Sequence, residues 1–202
     1  MIDNIDKIKS LLNFESEGDF YMLYVLKRKK DQPESERDNH QSVRTIKTYT
    51  ISSLEYLDKR YEEIKMLCEV FKARGYIHVQ RQNHRDISLS MLVELAHRIK
   101  DGIIHQKGLF DSVVGQIPTT EKRWIVDLDT KEVAVINQII SFLDGLAPIG
   151  VPKLIAEIPT KNGVHLITNK FDLNSFSKVY PSIDVQKKNP TLLYYPNSLD
   201  NG

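Results

Sequence analysis

Apolar positions recur along this chain in two rhythms, one near 3.6 residues and one of 2, and the switches between them predict its elements. Residues 1–14 read as a short amphipathic helix with Ile5, Ile8, Leu11 and Leu12 on one side. "FYMLYVLKRK" (20–29) is an aromatic and aliphatic run that reads as a strand. "VRTIKTYTI" (43–51) alternates and reads as a second strand, antiparallel to the first. Between them "KRKKDQPESERDNHQS" is polar and charged, which predicts an exposed loop. Ser52 and Glu55 have the spacing of a capping box, and Leu54, Leu57, Tyr61, Ile64, Leu67 and Phe71 follow at helical spacing up to Gly75. "YIHVQ" (76–80) reads as a short strand. A further helix is expected from about Ser88 to Lys100, with Leu89, Leu92, Leu95, Ala96 and Ile99 facing inward and Gly102 stopping it.

The second half has another rhythm. "RWIVDLD" (123–129) reads as a strand, and "KEVAVINQIISFLDG" as a helix with Val133, Ile136, Ile140 and Leu143 on its apolar face. "PKLIAEIP" (152–159), the turn "TKNG" and "VHLITNKF" (164–171) predict a hairpin. "SIDV" (182–185) and "TLLYYP" (191–196) predict two short terminal strands. The order predicts an α+β fold: a mixed, largely antiparallel sheet with helices on one face, preceded by a smaller α/β module. The expected boundary separates residues 1–105 from 106–202 within one compact unit, with the irregular stretch 106–122 as connector.

Composition narrows the classes. Of the 202 residues 41% are hydrophobic, enough for a real core. The formal net charge of +1 gives no bulk electrostatic case for nucleic acid, so any basic groove must come from local clustering. The single cysteine, Cys68, excludes an internal disulfide and a cysteine-based zinc ribbon, and its helical position makes it a core residue. The N-terminal residues mix charge with apolar side chains and resemble neither a signal peptide nor a membrane span, so a cytoplasmic protein is expected.

Three short patterns carry candidate chemistry. Asp127 and Asp129 stand one residue apart at the end of an apolar strand, so their side chains project to one face with Cα atoms roughly 6–7 Å apart. Such a pair repels itself unless a cation lies between, and Mg²⁺ or Mn²⁺ takes these oxygen donors together with substrate phosphates. The plainer reading is an exposed strand end whose second aspartate caps the next helix. In "IPTKNGVHLIT", Gly163 permits close backbone approach, and the turn Thr160, Lys161, Asn162, Gly163 offers N–H groups to phosphate oxygens. His165 follows on the face opposite Val164 and Leu166. In "SIDV", Asp184 would supply a third carboxylate.

An apolar strand ending in Asp-x-Asp, then a hairpin with Thr-x-x-Gly-x-His, then an apolar-Asp strand resembles the archaeo-eukaryotic primase superfamily, including the polymerase domains associated with bacterial ligases and the primase-polymerases. The resemblance covers roughly residues 120–196, through Asp127 and Asp129, through Thr160, Gly163 and His165, and through Asp184. It implies a sheet similar to an RNA-recognition fold and a metal-dependent nucleotidyl transferase that adds nucleotides from nucleoside triphosphates to a nucleic-acid 3′ end. It further implies that Asp127, Asp129 and Asp184 are catalytic and hold Mg²⁺ or Mn²⁺, while the Gly-x-His hairpin holds the triphosphate. Template and primer nucleic acid are the implied partners, and no membrane is. Members often have serine where Thr160 stands and glycine where Lys161 stands, and many carry a zinc element that this chain lacks cysteines to build. The alternative is a catalytically inactive primase-like protein that binds nucleotide or nucleic acid in a replication, plasmid or phage system. Asp-x-Asp also serves metal-dependent glycosyltransferases. A phosphotransferase of haloacid-dehalogenase type would need threonine at the position of Lys131.

Overall fold

The structure, a computed structural model, describes residues 1–32, 43–103, 108–117 and 121–199. Most of the expected polar loop (33–42) and parts of the expected connector (106, 107 and 118–120) therefore lie outside the described residues.

The first sheet runs β1 (Ile2–Asp3), β10 (Thr191–Tyr195), β4 (Arg74–Ile77), β2 (Asp19–Arg28) and β3 (Val43–Ile51), with β5 (Gln82–Asn83) beside the start of β2. Its strand β2 is buried on both faces, which is why "FYMLYVL" shows no alternation. Tyr21, Leu23 and Val25 pack with Ile8 of α1 (Ile5–Lys9) and with Leu57, Tyr61, Ile64 and Cys68 of α2 (Leu54–Val70). Phe20 and Met22 pack on the opposite side with Ile87 of α3 (His84–Lys100) and with Leu109 and Val113 of α4 (Leu109–Gln116).

Local chemistry sets the helix ends, and it moves several of them from their expected places. Ser53, not Ser52, caps α2, its hydroxyl accepting from the Tyr56 N–H at 3.0 Å. The helix stops at Val70, Lys72 takes the left-handed φ of 47°, and Gly75 belongs to β4. Helix α3 starts at His84, four residues earlier than expected, because Asn83 accepts from the Arg85 N–H at 2.9 Å. Within α3 the inward face carries Ile87, Met91 and Leu95; Leu89, Leu92, Ala96 and Ile99, expected inward, are exposed. A whole short helix, α4, occupies part of the stretch expected to be irregular.

The second sheet is β7 (Leu154–Pro159), β8 (Val164–Asn169), β6 (Arg123–Leu128) and β9 (Asp184–Gln186), in that order and antiparallel throughout. With α5 (Val133–Asp144) after β6 and α6 (Leu173–Val179) after β8, it has the β-α-β-β-α-β connectivity of the split β-α-β plan. The sequence pattern did not reveal α6. Trp124, Val126, Leu128, Val164 and Leu166 face these two helices; α5 buries Ile136, Ile139 and Leu143 and leaves Val133 exposed. Ile125, Ile158 and Ile167 point the other way and join the core of the first sheet.

The fold is thus α+β as expected, but the N-terminal module, expected to be the smaller, holds the larger sheet. The last strand, β10, leaves the second sheet and inserts between β1 and β4 of the first. Buried polar contacts tie the two sheets together. The Asn4 amide donates to the carbonyls of Pro159 on β7 and Leu192 on β10, both at 3.0 Å, and the Gln80 amide donates to the Arg123 carbonyl at 2.9 Å. No helix of the described residues is long and apolar enough to cross a membrane.

Candidate functional site

Period 2 puts Asp127 on the same face of β6 as Ile125, away from the helices and toward the first sheet. Antiparallel register then decides its neighbours. Asp127 lies directly opposite His165 on β8 and directly opposite Asp184 on β9, so three strands deliver one row of polar side chains. Asp129 falls just past the end of β6 and is exposed.

His165 is only 9% exposed: the ring is mostly enclosed and one edge lines the cleft. Its Nε2 lies 3.4 Å from Asp127 Oδ1, and its Nδ1 lies 2.9 Å from the hydroxyl of the buried Thr191 on β10. A carboxylate facing Nε2 favours a proton there, which leaves Nδ1 to accept from the Thr191 O–H. The first sheet thereby sets the orientation of a histidine carried by the second.

Two carboxylates directly opposite each other destabilise a sheet unless something positive lies between them. The Gln186 amide does part of this, donating to Asp184 at 2.8 Å and reaching Asp127 at 3.5 Å. A hard divalent cation suits the same donors. Among the described residues no three His, Cys, Asp or Glu side chains gather into a metal-holding group.

Gly163 has a strict packing reason. A Cβ there would stand 1.8 Å from the Leu128 carbonyl oxygen and 2.7 Å from the Thr130 N, so only glycine lets the hairpin lie against the end of β6. The turn is closed by its own bonds: Thr160 N–H donates to the Gly163 carbonyl at 2.9 Å, and Gly163 N–H donates to the Thr160 hydroxyl at 3.1 Å. These two N–H groups, expected to be open to phosphate, are used inside the turn. The hydroxyl proton of Thr160 and the side chains of Lys161 and Asn162 remain along the cleft wall.

The cleft consists of a cavity of about 230 Å³ and an adjoining hollow of about 60 Å³, both lined by Asp127 and His165. Its far wall comes from the first sheet, with Arg28, Arg74 and Tyr76. Arg74 is buried and pairs with Asp31 at 2.6 Å, while its Nε has no hydrogen-bond partner among the described residues. Tyr195 lies under two cations, with Arg74 4.9 Å and Lys161 5.2 Å from its ring centre. Sequence reasoning missed Arg28, Arg74, Tyr76, Thr191 and Gln186. Only Gln186 carried a signal, since period 2 from Asp184 puts it on the same face. The two lysines that follow, Lys187 and Lys188, are engaged away from the cleft: Lys187 lies over the Trp124 ring at 5.1 Å on the helix side, and Lys188 donates to the Gly115 carbonyl.

No family model, curated protein or solved structure matches this chain. Its site therefore rests on its own geometry. Asp129 does not cap α5, which corrects the plainer reading of that residue; Thr130 accepts from the Glu132 N–H at 3.2 Å instead. Just before and at the start of α3, Arg81 pairs with Glu15 at 2.7 Å and His84 stacks on Phe20.

Proposed function

We propose that this chain is a metal-dependent nucleotidyl transferase of primase-polymerase type, adding nucleotides from nucleoside triphosphates to a nucleic-acid 3′ end. The observation that carries this reading is the row Asp184, Asp127 and His165 across three adjacent strands, facing a cleft whose far wall supplies Arg28 and Arg74. Asp127 and Asp184, with Asp129 at the strand end, are the residues to hold Mg²⁺ or Mn²⁺. When bound, the ion neutralises phosphate charge and polarises the reacting phosphoryl group. The chain's own groups do the rest. Lys161 and Arg28 meet the triphosphate charge, with bidentate contacts suited to the Arg28 guanidinium, and Arg74, held by its ion pair with Asp31, adds positive charge to the wall. Thr160 and Asn162 donate hydrogen bonds at the turn. His165, held by Thr191, faces Asp127 through Nε2, and a phosphate oxygen bound beside Asp127 would share that N–H in a hydrogen bond that strengthens as charge develops there.

The Gln186 amide between the two carboxylates favours a second reading, in which the chain binds nucleotide without transferring it. Calorimetric titration of nucleoside triphosphate with and without Mn²⁺, joined to a primer-extension assay, separates the two. The transferase reading expects Mn²⁺-dependent binding and extension, both lost in Asp127→Asn. His165→Ala should weaken binding about ten- to a hundredfold, the loss of one charge-assisted hydrogen bond of roughly 1.5–3 kcal/mol. Nucleotide binding indifferent to Mn²⁺ and to Asp127→Asn, without extension, would leave the binding protein as the better account.

A further inference from the structure

The face of the first sheet that walls the cleft carries a second pocket further along. Period 2 takes that face from Arg74 and Tyr76 on β4 to His78 and Gln80, and the pairing reaches this far because the His78 N–H donates to the Met22 carbonyl at 2.9 Å. Tyr24 on β2, directly opposite Tyr76, lines the second pocket as Tyr76 lines the cleft, so the two hollows are neighbours. The pocket measures about 230 Å³, and α4 forms one side of it with Val114 and the exposed Asp111. Its polar groups are unspent. The Gln80 amide nitrogen is committed to the carbonyls of Arg123 and Lys187, which leaves its Oε1 as an open acceptor. The Tyr24 hydroxyl, the His78 ring nitrogens, the Gln82 amide and the Asp111 carboxylate have no hydrogen-bond partner among the described residues. A few polar groups converging on one concavity beside an apolar wall are what orients a small molecule.

The chemistry of these groups narrows the occupant. Burial brings His78 down to about 4, so at neutral pH the ring is uncharged and offers one donor and one acceptor. Lys188 also lines the pocket, but its ammonium donates to the Gly115 carbonyl, and the Asp111 carboxylate repels a phosphate. A single carboxylate is too few ligands for a hard cation. The occupant is therefore neutral, with donors and acceptors around its edge. The space falls below the roughly 300–1,000 Å³ of sites for drug-sized ligands, so it takes one ring system. Met22, Val114 and Ile117 supply apolar contact, and the Tyr24 and His78 rings stand at 71° to each other, so a flat ligand lying on one ring meets the edge of the other. We infer that this pocket binds a purine base of the guanine type. The Asp111 carboxylate accepts from the adjacent N1–H and N2–H groups, and Gln80 Oε1 accepts the second N2–H. The Tyr24 hydroxyl and the Gln82 amide donate to O6 and N7. Adenine lacks the adjacent pair of donors that a carboxylate prefers. None of Tyr24, His78, Gln82 and Asp111 lines the cleft that holds Asp127 and His165, so this inference stands apart from the proposed activity.

Calorimetric titration of the full chain with guanosine, adenosine and cytidine up to about 1 mM tests it, a range that reaches the weak affinity expected for so small a ligand. The probes carry no phosphate, so the charge of the cleft contributes nothing to their binding. Guanosine should bind with a dissociation constant on the order of 10–100 µM, about tenfold or more tighter than adenosine, with cytidine weaker still. Asp111→Asn should weaken guanosine about ten- to a hundredfold, the loss of a charge-assisted hydrogen bond. Gln82→Ala should weaken it several-fold. Asp111 is exposed and Gln82 half-buried, so the circular dichroism of both variants should match that of wild type. Asp127→Asn should bind guanosine as wild type does. No binding of guanosine at 1 mM overturns the inference, and so does equal affinity for guanosine and adenosine. Binding that ignores Asp111→Asn, or that is lost in Asp127→Asn, places the nucleoside elsewhere and overturns it as well.

Discussion

At the scale of single residues, the polar side chains that matter here are those whose surroundings decide their chemistry. His78, at the end of β4, packs edge-on to Tyr24 with ring centres 5.6 Å apart, and burial pulls its imidazole down from 6.5 to about 4. The sign follows from where each state takes up its proton. Between pH 6.5 and 4 the unfolded chain holds a proton on His78 that the native state refuses, so stability present above 6.5 is lost as the pH falls toward 4. The loss is at most roughly 3 kcal/mol for a shift of this size. His78→Phe keeps a ring in place and removes the titration, so its melting temperature should fall less than that of wild type between pH 7 and pH 4. Parallel curves for the two proteins would show that His78 does not titrate this way. Asp19 shows the opposite balance: burial raises its carboxyl, but hydrogen bonds from Asn83, Ser16 and the Ser16 and Glu15 backbone outweigh this and hold it at about 2.

At the scale of elements, the hairpin β7–β8 and the end of β6 act as one unit, and Gly163 is the residue that allows it. A methyl group 1.8 Å from the Leu128 carbonyl cannot be accommodated without moving the turn that carries Thr160 and Lys161. Gly163→Ala should therefore cost about 3 kcal/mol or more, the upper range of overpacking. That corresponds to a fall of roughly 6–12 °C in melting temperature for a chain of this size, measurable by differential scanning calorimetry. A wild-type melting temperature in Gly163→Ala would mean the turn is free to swing away from β6. The sequence marked the hairpin and its glycine through the "TKNG" signal, yet it assigned the glycine to phosphate approach; the structure assigns it to packing against another strand.

At the scale of the whole molecule, β10 is the strand on which both sheets depend. It lies between β1 and β4, buries Leu192, Leu193, Tyr194 and Tyr195, and supplies Thr191 to His165. Four such side chains contribute roughly 6–12 kcal/mol of burial, comparable to the whole stability of a typical domain. A chain ended after residue 190 should therefore lose cooperative thermal unfolding and its near-ultraviolet circular dichroism. A sharp transition close to that of the full chain would show that the first sheet closes without its last strand.

What the sequence determined by itself was local. Apolar runs, alternation and helical spacing marked β2, β3, α2, β6, α5 and the β7–β8 hairpin, because each buries one stripe or one run of its own residues. The same period of 2 set Asp127 and His165 on the polar side of their strands. It did not mark α6 or the true inner face of α3, where apolar residues occupy both sides and periodicity alone offers two choices. Only the tertiary structure decided that Asp127, His165 and Asp184 share a row, since strand register is a relation between distant segments. It alone decided that β10 crosses to the first sheet, and so that Arg28, Arg74 and Thr191 face this row. Those residues come from strands separated by long stretches of chain, and no spacing along a sequence encodes which of two sheets a terminal strand will join.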